Sequence, residues 1–566
     1  MTQSPSRVLA ELEELKRRFG DSDAKVLHAL KLLSKSPLND AESLIRFHEA
    51  VLFLRAYPPS ARALNQVEKI LKSFGQRVSQ LREAGRDLSV LDEVEVSGIA
   101  GTFVTSNFSY EIVRWLVTKY PRQVSIDWDW FDEADRFGAT MPRFLPLLAE
   151  DAMVEAHVPY REWLRAAKGS RNELVWIIER FELLKISNQS KAELYDSLKL
   201  HVIWKFGVSA SRTGMKLPVR KIFFHRAPLI QRRNVSLIDE LAAPPIPIEK
   251  LTRAAGERIL DLARETSAVR YRELHGFTYG DPGRVLKASL GRGTEAFVLG
   301  VPPEHRLPLR AYHAALILKN GVPVAYFEGL SIFERLESGF NLYYTFREGE
   351  TAWLFGRILR LTRQLLGVSV ISIDPYQVGH ENEEGIESGA FWFYRKLGFR
   401  PVRPEVMKLA AAEEEKMAAS RDYRTPARTL KKLAAGHLLF EVPHPERQAR
   451  VSEWDRFEVA NVGLVVQRRM ARDFGGDAQT ARAYSAKLIR RVLELDTRGW
   501  RERELRIFED FALFPAMIPD IAKWSADEKR LATSIILAKA SNDESLYLRL
   551  MQKHTPMRAA LIGFGS

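Results

Sequence analysis

Apolar residues recur at helical spacing through the first part of this chain. Leu44, Phe47, Val51 and Leu54 share one face of a helix predicted over 41–54, which Pro58 and Pro59 end. Leu64, Val67, Ile70, Leu71 and Phe74 predict a second helix over 61–81. Ser97-Gly98-Ile99-Ala100-Gly101-Thr102 reads as a tight turn, 109–119 as a helix, and 124–130 as a strand with alternating sides. Residues 140–205 read mainly as helices, with Leu174, Ile177, Ile178, Phe181 and Leu184 facing a core. The proline pairs in Ala242-Ala243-Pro244-Pro245-Ile246-Pro247-Ile248 mark the clearest linker, and 249–266 is helical again.

From residue 312 the period shortens to two. Strands over 312–318, 322–332 and 339–346 form an antiparallel meander, its first turn set by Asn320-Gly321. A glycine-bearing loop over 347–352 opens a helix that runs to about 366, with Leu354, Ile358, Leu361 and Leu365 inward and Arg357, Arg360 and Arg363 outward. A strand over 368–373, a helix over 382–397 and a strand from Phe399 follow. The chain is mainly helical from about 421, with helices over 505–514 and 526–540 parted by Pro515 and Pro519. The expected organisation is a helical region over 1–95, an α/β or mainly helical accessory domain over 96–241, an α/β domain with a mixed, mostly antiparallel sheet over 249–410, and a helical region over 411–566.

The chain has 566 residues, 46% of them hydrophobic, which implies two to four domains. It has no cysteine, which excludes disulfides, thiolate metal sites and cysteine nucleophiles. The first 18 residues are charged and do not read as a signal peptide, and no run approaches the roughly 18 apolar residues of a membrane span. A cytoplasmic protein with no membrane partner is expected. The 85 basic and 72 acidic residues leave a charge of +13, which attracts polyanions, phosphorylated cofactors included. A dense basic tail with interleaved aromatics is missing, so nucleic acid is not the expected partner. Arg212, Lys216 and Arg220 either clamp an anion or line a surface loop. Asp127, Asp129, Asp132 and Glu133 either hold a divalent cation or form a solvated rim, and no metal-ligand set is assigned.

Chemistry concentrates between 312 and 399. A glycine loop opening a helix presents N–H groups and the positive end of the helix dipole to a phosphate, and Arg347 adds a charge-assisted contact. Tyr394 is either a core residue or a proton donor near the end of its helix. Gly389-Ala390-Phe391-Trp392-Phe393-Tyr394-Arg395-Lys396-Leu397-Gly398-Phe399 resembles the closing motif of the GCN5-related N-acetyltransferase (GNAT) superfamily. The resemblance covers about 265–405. It implies transfer from acetyl-CoA or another acyl-CoA to a small-molecule or peptide amine, with Tyr394 as acid for the departing thiolate. It also implies that Arg347, Gly349, Thr351 and Ala352 hold the cofactor's phosphates. Two departures stand out: Glu350 replaces the loop's middle glycine, and Glu387 replaces the asparagine usual before Ala390. The expected base is Glu328, with His380 second; Glu337 and His313 lie nearby, and Tyr271, Arg272 and His275 are candidates for a loop over the acceptor. Two alternatives are an aminoacyl-tRNA-dependent transferase on the same fold, which would bring tRNA in as partner, and a non-catalytic GNAT-like scaffold.

Overall fold

The computed structural model describes residues 4–20, 22–131, 134–145, 159–443 and 452–566. Five helices open it: Pro5–Leu15, Asp23–Lys35, Ala41–Ala56, Ala61–Lys72 and Phe74–Glu83. Asp40 starts the third by accepting a hydrogen bond from Ser43 N at 2.7 Å, and Leu44, Phe47, Val51 and Leu54 are buried along it. The single helix expected over 61–81 breaks at Ser73, where the backbone leaves helical geometry.

Strands β1 (Phe103–Ser106), β2 (Val124–Ile126) and β3 (Val202–Lys205) form a small antiparallel sheet in the order β1-β3-β2. The stretch expected to be helical over 140–205 thus ends in a strand, with Val202 and Trp204 facing a core.

The large sheet has nine strands: β4 (Ile248–Lys250), β5 (Val285–Gly291), β6 (Thr294–Leu299), β7 (Ala311–Lys319), β8 (Val322–Ile332), β9 (Arg335–Leu342), β10 (Val370–Ile373), β11 (Arg400–Pro401) and β12 (Leu438–Glu441). Their spatial order is β11-β12-β10-β9-β8-β7-β6-β5-β4. The molecule is therefore α/β with a mixed, largely antiparallel sheet. Only β9 and β10 pair in parallel among the described strands, and helix Thr351–Leu366 makes the crossover between them. The expected meander is present but longer, because β4, β5 and β6 precede it. Its third strand begins four residues earlier than expected and ends at Leu342, with a short 3-10 turn over Tyr344–Phe346.

The sheet also runs past the boundary expected at 410. Helix Pro404–Ala419 spans that point, and β12 inserts between β10 and β11. The proline linker is pinned rather than free: Gln364 bonds both the N–H and the carbonyl of Ile246, at 2.7 and 2.9 Å. Six helices between Val459 and Gly565 close the chain, and their apolar faces bury Ile332, Phe333, Val370 and Leu439 of the sheet.

Candidate active site where two parallel strands part

Strand β10 pairs with β9 only at Val370–Arg335, Ile371–Leu336 and Ser372–Glu337. Beyond Glu337, β9 continues to Leu342 with no partner on that side, because the chain leaves β10 at Ile373. Ligand crevices form at such places, outside the carboxyl ends of strands where connections diverge.

Glu328 pairs across β8 and β9 with Gly339, two residues past the last β9–β10 pair. Its side chain is half-buried and accepts a hydrogen bond from the Tyr312 hydroxyl. Burial raises the Glu328 pKa, and the Tyr312 bond and the nearby His275 offset this only in part. The Tyr312 hydroxyl also accepts from Gly276 N at 3.0 Å, and the His275 ring meets the Tyr312 ring edge-on at 5.1 Å. On the same sheet face Arg272 donates to the Tyr326 hydroxyl at 2.9 Å. Arg272 and Arg347 both reach Glu384, the first at 3.9 Å. The Arg347–Glu384 pair bridges the gap between the loop after β9 and the helix after β10. Of the expected acceptor-loop residues, Arg272 and His275 therefore do border Glu328's face.

His313 lies elsewhere. A regular two-residue hairpin from Asn320-Gly321 would set His313 opposite Glu328. The pairing slips by one residue between Ile317 and Leu318, so Ala314 stands opposite Glu328 and His313 turns to the other face, 3.1 Å from Ser331 Oγ. His380 is exposed in the loop after β10. Glu337, Asp374 and His437 bring one possible ligand atom each within 4.8 Å of one another. Arg310 stands 3.6 Å from Glu337, and His437 stands 3.3 Å from Glu458. Asp132 and Glu133, half of the acidic group noted at 127–133, lie outside the described residues.

The start of helix Thr351–Leu366 answers what Glu350 does in place of glycine. Its carboxylate makes no cap to the helix amides. It turns inward, 1% exposed, and receives Arg292 at 2.6 and 3.1 Å, Lys319 at 3.3 Å and Ile230 N at 3.1 Å. Burial works to raise its pKa, but these donors hold it below the usual carboxylate range. Two cations thus surround one anion beneath the helix start, and the Glu350 carboxylate leaves the helix amides uncapped. Thr351 Oγ1 donates to Arg347 O at 3.1 Å, Ala352 is buried, and an added Cβ at Gly349 would lie 2.5 Å from the Tyr57 hydroxyl. The amides of this helix start suit a phosphate, with the half-exposed Arg347, itself paired with Glu384, beside them.

Tyr394 packs its ring into the aromatic core. It is 4% exposed, edge-on to Phe355, Phe393 and Phe399 at 5.2–5.6 Å, and burial alone raises its pKa. The helix expected over 382–397 is two short ones, Glu383–Glu387 and Ala390–Arg395, and this places the Tyr394 ring in the core.

Two of the three clamp candidates find internal partners, and the third, Arg220, is exposed. Arg212 binds Glu49 at 2.8 Å and Lys216 binds Glu68 at 2.7 Å. These carboxylates are about 150 residues away, where no local pattern reveals them. Tyr312, Arg292 and Lys319 were missed for the same reason. No helix among the described residues is long and apolar enough to cross a membrane. No family model matches the chain, and no curated protein or solved structure matches it.

Proposed function

We propose that this chain is a cytoplasmic N-acyltransferase with a GNAT-like domain. It would move an acyl group from acetyl-CoA or another acyl-CoA to the nitrogen of a small-molecule or peptide amine. The observation that carries this reading is Glu328: a half-buried carboxylate with raised proton affinity, held by Tyr312 where β9 leaves β10. Bound there, an acyl-CoA supplies the activated carbonyl, its phosphates toward Arg347, Gly349, Thr351 and Ala352. Glu328 accepts a proton from the acceptor's ammonium and so frees the nitrogen lone pair; the nitrogen attacks the thioester carbonyl, the carbon–sulfur bond breaks, and coenzyme A leaves as its thiolate. Arg272 and Tyr326 border the acceptor. The edge of β9 past Glu337 offers backbone N–H groups to a developing oxyanion. No role is assigned to Tyr394, whose ring lies in the core.

The test is transfer from radiolabelled acetyl-CoA to a panel of polyamines, amino sugars and peptide N-termini. Glu328→Gln is expected to lower turnover by about 10²–10⁴-fold with unchanged acetyl-CoA affinity. Arg347→Ala is expected to weaken that affinity. In the parent chain the rate should rise with pH through a range above that of an ordinary carboxylate, since the unprotonated form is the base and its pKa is raised. Full turnover by Glu328→Gln would remove the assignment. The near-complete burial of the Tyr394 ring favours a second reading, a non-catalytic binding protein, which would show acetyl-CoA binding with no product for any amine. Transfer seen only with charged tRNA in place of acetyl-CoA would identify an aminoacyl-tRNA donor.

A further inference from the structure

On the face of the sheet opposite Glu328, a cavity of about 410 Å³ lies between the strands, helix Thr351–Leu366 and helix Glu544–Lys553. That volume is in the range of small-molecule sites. One floor row is set by strand pairing. Lys250 stands opposite Leu286, Leu286 opposite Val298, Val298 opposite Ala315, and Ala315 opposite Phe327. Directly paired residues project to the same face, so the row runs from one exposed cation at the sheet edge across four apolar side chains. Four strand spacings of ~4.8 Å give it a length of about 19 Å. Ile358, Leu361 and Leu365, at i, i+3 and i+7, form the roof.

The charges at the mouth differ in kind. Arg284 is paired with Asp281 at 3.1 Å, and Arg306 with Glu544 at 3.5 Å. Lys250 and Arg549 line the same cavity, are exposed, and have no ion pair among the described residues. Leu286, Val298 and Leu365 stay partly exposed inside. Asp543, the cap of helix Glu544–Lys553, also lines the cavity, so four cations face two carboxylates and the lining keeps a net positive charge. Such an apolar, net-positive slot complements a ligand with an aliphatic body and an anionic end.

We propose that this slot binds an unbranched aliphatic chain ending in a carboxylate, with the head at Lys250 and Arg549 and the tail along the row toward Phe327. The site is separate from the Glu328 face and does not depend on acyl transfer.

Calorimetric titration of the full chain with dodecanoate tests it, with dodecan-1-ol as the uncharged control. The expected result is saturable binding of dodecanoate at one site, at least tenfold tighter than dodecan-1-ol. Charge reversal at two exposed positions, Lys250→Glu with Arg549→Glu, should weaken dodecanoate at least tenfold while the melting temperature of the unliganded chain holds. Leu365→Trp, which fills the slot, should abolish binding. Absence of saturable binding overturns the proposal, and so does affinity unchanged by the charge reversal. Equal affinity for dodecan-1-ol overturns the head-group assignment. The charge-reversal and alcohol comparisons stand even if Leu365→Trp fails to fold.

Discussion

Glu350 shows how one residue can break a local pattern and keep its chemistry. A carboxylate at a helix start would compete with a bound phosphate for the amides. Here it is drawn inward by Arg292 from the turn after β5 and Lys319 from the end of β7; Glu350 and Lys319 are buried, and Arg292 is half-buried above them. Burial lowers the Lys319 pKa to about 8 even with Glu350 beside it, so the cation relies on that partner to stay charged. Removing one member of a buried ionic group leaves the others uncompensated, which typically costs ~3–5 kcal/mol. Glu350→Gln is therefore expected to destabilise the chain by about that amount in urea unfolding. Adding Lys319→Met should restore part of the loss. A single variant as stable as the parent, or a double variant with simply additive losses, would contradict the coupling.

At the scale of elements, the position of the sheet residues rests on small backbone events. The one-residue slip between β7 and β8, with Val324 of β8 left unpaired, decides that Tyr312, not His313, reaches Glu328's face, and that His313 lines the opposite cavity. Asn320-Gly321 announces the hairpin, but nothing near it in the chain announces the slip. A second such event is the approach of helix Arg253–Ala268 to the turn Pro282–Arg284. A Cβ at Gly256 would lie 2.0 Å from Pro282 O, so the helix touches the turn backbone to backbone. Gly256→Ala must push the two apart, and overpacking of this kind costs ~1–3 kcal/mol. The expected outcome is a lower unfolding midpoint in urea with an unchanged slope; an unaltered midpoint would show that the turn yields freely.

For the whole molecule, Glu49 joins regions remote in the chain. It lies on the third N-terminal helix, binds Arg212 at 2.8 Å, and accepts from Thr345 just past β9. Burial would raise its pKa, but Arg212, then His48 and Thr345, bring it down from 4.5 to about 2. A carboxylate whose folded pKa is depressed stabilises the fold above its unfolded value. That contribution is lost as pH falls from about 4.5 toward 2, an amount on the order of 3 kcal/mol. Urea midpoints should fall across this window more steeply in the parent than in a Glu49→Gln, Arg212→Met chain, and equal slopes would exclude the linkage. The same long reach marks the limit of local reading. Helical and alternating apolar periods follow from which side chains must leave water, and they located helices such as those at 41–56, 173–183 and 253–268, the central meander, the helix at 351–366 and Glu328 as a carboxylate on its second strand. Pairing partners, the slip between β7 and β8, the entry of β12, the inward turn of Glu350 and the burial of Tyr394 depend on groups from distant segments. Their energies exist only once the chain has closed its loops, so tertiary structure alone decided where the strands part and what faces the opening.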